Sequence, residues 1–231
     1  MKINKRLLSL SEMIDGHYDL VWDCCCDHGL LGIKILTNNV IKEVNFVDVV
    51  PDIITQLHDK LTTYGHHLPM DAKWQTRCED VGQLQLLDRY KANQFQANQL
   101  VIISGVGGEL IAEVLTHLMS RYAGLNIDFL LCPVHHTYKL RSTLIELNFK
   151  LKQEQLVIEN KRGYELMLIN QIQGVDLTLT GSQLWQPQDE QKQYLAKLIT
   201  HYQRIVSANL DAEPLVQSAL SDYQALYHKL F

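Results

Sequence analysis

The chain has no apolar run approaching the roughly 20 residues that cross a bilayer, so no membrane-spanning helix is expected. The apolar stretch near its N-terminus is broken by Ser9, Ser11, Glu12 and Asp15, which argues against a secretory signal and for a cytoplasmic location. A disulfide framework is also missing. There are five cysteines, an odd number, and Cys24, Cys25 and Cys26 are consecutive, which suits reduced thiols in a reducing compartment. Three neighbours on a strand face alternate sides and cannot converge on one ion, so no metal is expected. Excess positive charge is absent as well: 21 Lys and Arg stand against 26 Asp and Glu, a formal charge of −5. That balance argues against a general nucleic-acid binder but leaves room for a local basic face. No repeat or low-complexity tract interrupts the 231 residues, and 46% hydrophobic content supplies a core of ordinary size.

The pattern that is present alternates strand and helix. Asn4 is a plausible N-cap for an amphipathic helix over 4–14, with Ile3, Leu7, Leu10 and Ile14 near helical spacing. Strands are predicted at 19–23, 44–47, 73–78, 99–104 and 127–132. Helices are predicted at 28–36, from Pro51 to Tyr64 with Gly65 closing it, from 108 to about 121, and at 137–147. Residues 82–98, rich in Gln, read as a short helix and loop. A strand pair at 151–158 and 164–170 is joined by Glu159-Asn-Lys-Arg-Gly163, which carries hairpin chemistry. Alternation of this kind implies an α/β fold: a mostly parallel sheet of seven strands with helices on both faces, ending in an antiparallel hairpin. The composition shifts after about residue 174, dividing the chain into 1–174 and 175–231. A long helix beginning at Pro187 has the stripe Leu195, Leu198, Ile199, Tyr202, Ile205 and Val206. Asp211 to Pro214 breaks it, and Leu215, Ala219, Tyr223, Leu226 and Leu230 form a second stripe. This helical hairpin is too small to bury both faces alone.

Chemistry concentrates at the strand ends. Asp23-Cys-Cys-Cys-Asp27-His28-Gly29 spans the first strand-to-helix turn, where α/β nucleotide-binding domains hold their ligand. Asp48 ends the second strand, where an acid accepts bonds from ribose hydroxyls. Strand-end acids are common, so the two are equally compatible with being no more than polar residues at the ends of strands. Asp27 can cap the following helix or, with His28, act chemically. Gly105-Val-Gly107-Gly108 either lets a helix pack closely or lets backbone approach a substrate. No Lys or Ser/Thr follows it, which excludes a P-loop. The first turn lacks G-x-G-x-x-G, which disfavours a nicotinamide dehydrogenase.

Taken in order, these motifs resemble the bacterial tRNA methyltransferases that modify N1 of the adenine at position 22. Asn4-Lys-Arg-Leu7 is similar to the family's Ser-Lys-Arg-Leu, and Asp23-x-x-x-Asp27-His28-x-x-Leu31 to its Asp-x-Gly-x-Asp-His-x-x-Leu. Gly105-x-Gly107-Gly108, Leu131-x-Pro133 and Tyr164-Glu165 match motifs after strands four and five and in the last strand. The resemblance covers nearly the whole chain, including a coiled-coil-like helical hairpin at the C-terminus. It implies a Rossmann-like methyltransferase fold, S-adenosylmethionine as cofactor and tRNA as partner. It also implies cofactor contacts at Asp23, Cys25, Asp48, Asp80, Gly105 and Gly107, and catalytic roles for Asp27 and His28. Substrate contacts would fall to Lys5, Arg6, Gly108, Pro133 and Val134. Cations for RNA would come from Lys2, Lys139, Arg141, Lys150, Lys152, Lys161 and Arg162, and from Lys192, Lys197 and Arg204 in the last two helices. Two residues depart from the family: Cys25 replaces a glycine in the first turn, and Val134 replaces an asparagine after Pro133. These departures keep two alternatives in view. One is a methyltransferase for another RNA site or a small molecule; the other is a non-catalytic interaction protein with a degenerate cofactor site.

Overall fold

A computed structural model describes residues 3–14, 18–38, 41, 43–86, 98–208 and 213–231. Lys2, most of the stretch expected to hold a short helix before the fourth strand, and Asp211 lie outside the described residues. The elements run α1 (Lys5–Glu12), β1 (Leu20–Cys24), α2 (Leu30–Thr37), β2 (Glu43–Asp48), α3 (Pro51–Tyr64), β3 (Lys73–Cys78) and β4 (Gln99–Ser104). They continue with α4 (Gly108–Tyr122), β5 (Ile127–Cys132), α5 (Thr137–Glu146), β6 (Lys150–Glu159), β7 (Arg162–Asn170), β8 (Val175–Asp176), α6 (Asp189–Ala208) and α7 (Pro214–Leu230).

One sheet has the order β3-β2-β1-β4-β5-β7-β6-β8. Strands β1 to β5 are parallel, and β7 runs against both β5 and β6. The expected seven strands are therefore present, and an eighth, the two-residue β8, pairs with the outer edge of β6. It is too short and polar to register as a strand in sequence. Side-chain alternation sorts the core into two layers. Val101 and Ile103 of β4 pack with α4 and α5 on one face, while Leu100 and Ile102 pack with α1, α2 and α3 on the other. Burial on both faces is what turned 99–104 into a continuous apolar run.

Local chemistry sets the boundaries. The side chain of Asn4 accepts a bond from the Leu7 N–H at 2.8 Å and caps α1. Asn160 and Lys161 both adopt positive φ (50° and 62°), the conformation of a two-residue hairpin turn joining β6 to β7. Some expectations need correction. Gly65 has φ −59° and continues α3 into a 3₁₀ turn instead of closing it in the left-handed region. Among the described residues after β3, a 3₁₀ turn spans Val81–Gln83.

The last two helices need a third surface, and α5 supplies it. Tyr138, Leu195, Ala219 and Tyr223 form a separate small core, and the Tyr138 hydroxyl donates to Asp222 at 2.6 Å. Arg141, expected as a surface cation for RNA, is fully buried instead. It pairs with Glu154 and, at 2.9 Å, with Glu165, and it also donates to the Thr178 carbonyl. Glu154 in turn accepts bonds from the Ser182 and Gln183 N–H groups, so this cluster pins the connector to α6 against the sheet.

Candidate active site

In this strand order the sheet's connections reverse direction between β1 and β4, and ligands of such sheets bind outside the carboxyl ends there. The loop after β1 is tightly wound. Cys25, Asp27 and Gly29 all have positive φ (54°, 48° and 67°). Asp is tolerated in that region; Cys is less so, at a cost of roughly 1–2 kcal/mol. The loop is stitched to β2 by Cys26 N–H donating to the Val47 carbonyl at 3.1 Å and Asp27 N–H donating to Asp48 Oδ2 at 3.3 Å. Asp48 Oδ1 accepts from the Val50 N–H at 3.1 Å. Both donors are backbone groups, which leaves Asp48 lone pairs for hydroxyl donors.

Asp23 is buried, and its Oδ2 accepts a bond from the Gly32 N–H at 2.9 Å. Burial pushes its carboxyl up to about 7; the Gly32 N–H opposes this and Asp48 adds to it. Gly32, which motif reading did not single out, matters here: a Cβ on it would strike Phe46 and lie 2.8 Å from the Asp23 carboxylate. A glycine inside an otherwise apolar helix was the available signal.

The Cys triplet splits as strand geometry demands. Cys24 joins one core layer with Cys25 packed against it, Cys26 joins the other, and all three line a cleft. Burial, followed by the carboxylates of Asp48, Asp23 and Asp80, holds the Cys25 thiol up at about 11. It is therefore a neutral thiol at physiological pH and not a nucleophile. Asp80 caps the 3₁₀ turn by accepting from the Gly82 N–H at 2.7 Å. Three carboxylates expected at the cofactor thus gather around one loop.

The cleft has a volume of about 280 Å³, and its walls include Arg6, Asp23, Cys25, Asp27, His28 and Gly105. Gly105 has φ 86° and open space where a side chain would stand. Asp27 and His28 do face each other, Nε2 to Oδ1 at 3.6 Å, with side chains 70% and 66% exposed at the rim. Asp27 does not cap α2; Gly29 occupies the N-cap, with no side-chain cap.

The other expected residues divide. Gly107 and Gly108 are packing positions: a Cβ on Gly107 would hit the His135 ring, and one on Gly108 would lie 2.5 Å from the His136 carbonyl. The bonds Gly108 N–H to His135 O and Val134 N–H to Val106 O join the loops after β4 and β5. Pro133 and Val134 line a neighbouring pocket of about 210 Å³ with Gly163, Tyr194, Tyr202 and Tyr223. Helix α6 thus walls the place where the resemblance puts the target base. Lys5 is engaged by the end of β6, its Nζ donating to the Ile158 carbonyl at 3.2 Å. Lys139, Lys150 and Lys152 are paired with Glu109, Asp176 and Asp128.

A Rossmann-like sheet, an acid-lined first turn and a cleft at the reversal point together define a nucleotide-cofactor-binding domain of the methyltransferase type. The chain belongs to the methyltransferase-domain family, whose model matches residues 3–167. No curated protein matches it at the sequence level. Among solved structures it is similar to M. capricolum TrmK in complex with S-adenosylhomocysteine, at 17% identity and TM-score 0.75 over 100% of both chains. It is also similar to the B. subtilis m1A22 tRNA methyltransferase TrmK (16%, TM-score 0.67, 99% of this chain and 97% of that one). The candidate tRNA (m1A22) methyltransferase Sp1610 of Streptococcus pneumoniae matches at 18% with TM-score 0.69, over 98% and 100%. At these identities the likeness establishes the fold, including the two C-terminal helices. Among the described residues no helix is long and apolar enough to cross a membrane.

Proposed function

We propose that the chain transfers a methyl group from S-adenosylmethionine to N1 of an adenine in tRNA, at position 22. The observation that carries this is the convergence of Asp23, Asp48 and Asp80 on the left-handed turn at Cys25, beside the cleft. The residues present fit that cofactor. Asp48 retains acceptor capacity for the ribose hydroxyls, Asp80 stands near for the adenine amino group, and Gly105 leaves the cleft floor open.

When bound, the cofactor supplies a methyl group activated on a sulfonium. Adenine N1 carries its own lone pair, so the protein has no proton to remove before the bond forms. Positive charge grows on the base as it reacts, and the Asp27 carboxylate at the rim can offset it. His28, 3.6 Å from that carboxylate at the same rim, orients the base. The loop at Pro133–Val134 and the aromatic side chains of α6 hold the base, and positioning supplies much of the rate. Exposed Lys161, Arg162 and Lys197 lie together, Lys197 donating to the Lys161 carbonyl at 2.7 Å; with Lys5 they form a local basic rim for phosphates. The helical pair 175–231 extends that grip.

Transfer of labelled methyl to total tRNA, followed by nucleoside digestion, tests the reading: N1-methyladenosine is the expected product. Val134, an apolar side chain where the family has an amide, favours one second reading, a different RNA base or a small molecule. Label in another nucleoside, or in none, would support it.

A further inference from the structure

A second cavity, of about 340 Å³, opens where the first turns of α4 and α5 meet α6 and α7. Both first turns follow the carboxyl ends of their strands, so the cavity lies at the same end of the sheet as the cleft. Glu109 of α4, Lys139 of α5, Tyr202 and Ile205 of α6, and Leu215 of α7 line it. Apolar walls with a few polar groups are the make-up of a ligand site. The polar groups of α4 and α5 are tied together: Lys139 Nζ donates to Glu109 Oε1 at 2.8 Å, and His136 Nδ1 lies 3.2 Å from Glu109 Oε2. The bond from the Gly108 N–H to the His135 carbonyl locks that loop onto α4. A carboxylate oxygen has two lone pairs and an ammonium three donors, so this edge can still both accept and donate. Ile205 stays 37% exposed, an apolar surface available to a ligand. The cavity is not isolated. His136, Tyr138, His201 and Tyr202 line it and also line the pocket of Pro133 and Val134, so these four side chains form the partition between the two.

We propose that this cavity seats the base of a nucleotide next to the methylated adenine, with Tyr202, Ile205 and Leu215 against its flat faces and Glu109 and Lys139 at its polar edge. This rests on the reading that the pocket at Pro133–Val134 takes the adenine. N1 lies on the pairing edge, so the adenine must leave its partner and its stack before it reacts. Its neighbour thereby loses a stacking surface, which aromatic and apolar walls can replace. A phosphate is the poorer match, because Glu109 and Glu213 both line the cavity against the one permanent cation among its lining residues, Lys139. A base is uncharged, with two apolar faces and a rim of donors and acceptors, and the side chains here mirror that division. The shared partition makes adjacent nucleotides of one strand the fitting occupants of adjacent cavities.

Methyl-transfer kinetics on the full chain test this, using full-length tRNA transcripts with an abasic residue on one or the other side of adenine 22. For the native protein, removing the seated base should lower kcat/KM by about 5- to 150-fold, the worth of one stacked base. Ile205→Trp fills the cavity and should cost a similar factor on intact tRNA but little more on that abasic tRNA, because both changes remove the same contact. Glu109→Gln, at an exposed side chain, should cost less, and again only on intact tRNA. Affinity for S-adenosylmethionine should be unchanged in both variants. Reduced cofactor affinity in Ile205→Trp would mark a damaged fold, and Glu109→Gln then decides. Losses that multiply, each variant being as impaired on abasic as on intact tRNA, would overturn the proposal and leave the cavity to another ligand. A native protein indifferent to both abasic positions would also overturn it. A native protein that methylates no adenine in intact tRNA would instead remove the reading on which the proposal rests.

Discussion

Replacing Arg141 by Met removes the cation from a cluster in which Arg141, Glu154 and Glu165 side chains are all 0% exposed. Removing one partner of a buried ion pair costs about 3–5 kcal/mol, because the stranded charge keeps its desolvation penalty. Three bonds soften the loss: Glu154 keeps the Ser182 and Gln183 N–H donors, and Glu165 keeps the Tyr194 hydroxyl at 3.3 Å. The lower end, about 3 kcal/mol, is therefore the expectation. At roughly 2–4 °C per kcal/mol for a chain of this size, melting should fall by about 6–12 °C. The deficit should also depend on pH. Burial already raises the Glu165 carboxyl above its usual range, against the pull of Arg141. Without Arg141 it rises further and takes up a proton. A raised folded-state carboxyl contributes its stability at low pH and loses it as pH climbs through the folded value, so the deficit should be larger at pH 8 than at pH 5. Urea unfolding at both pH values measures this, and Glu165→Gln added to Arg141→Met should restore part of the loss. A deficit below about 1 kcal/mol, or one equal at both pH values, would refute the cluster's role in pinning the C-terminal helices.

Asp48→Ala should weaken S-adenosylmethionine by about 1–3 kcal/mol in calorimetry, the loss of charge-assisted bonds, with little change in melting. Asp27→Asn should leave cofactor affinity nearly unchanged and stability within about 0.5 kcal/mol, since the side chain is exposed and Asn tolerates the left-handed backbone, while methyl transfer falls sharply. An equal fall in affinity and rate would make Asp27 a cofactor residue. The stability of the native chain should decline as pH rises from about 4 through about 7, the window set by the raised Asp23 carboxyl. Asp23→Asn should flatten that part of the profile, and an unaltered slope would count against Asp23 as its source.

Much of the architecture was legible because single residues carry it. The run at 99–104 is apolar throughout because both of its faces are covered, and Asn4, Asp23 and Asp48 sit at element ends where their chemistry is local. What escaped depends on contacts distant in the chain. Nothing around Arg141 indicates that Glu154 and Glu165, 13 and 24 residues onward, close upon it. Nor does the first turn of α1 indicate that Tyr164 on β7 lies beneath Arg6. Gly107 and Gly108 read alike in sequence for packing or for substrate approach; the His135 ring beside Gly107 and the His135–His136 backbone beside Gly108 favour packing.

A methyl group on N1 blocks the pairing edge of adenine, so primer extension reports the reaction at single-nucleotide resolution. An unmodified tRNA transcript with adenine at position 22 should, after incubation with the protein and S-adenosylmethionine, give a reverse-transcription stop at that base. No stop should appear without the cofactor or with guanine at that position. A stop at another base, or none while the cofactor demonstrably binds, would contradict the assignment of this chain as a methyltransferase of adenine 22.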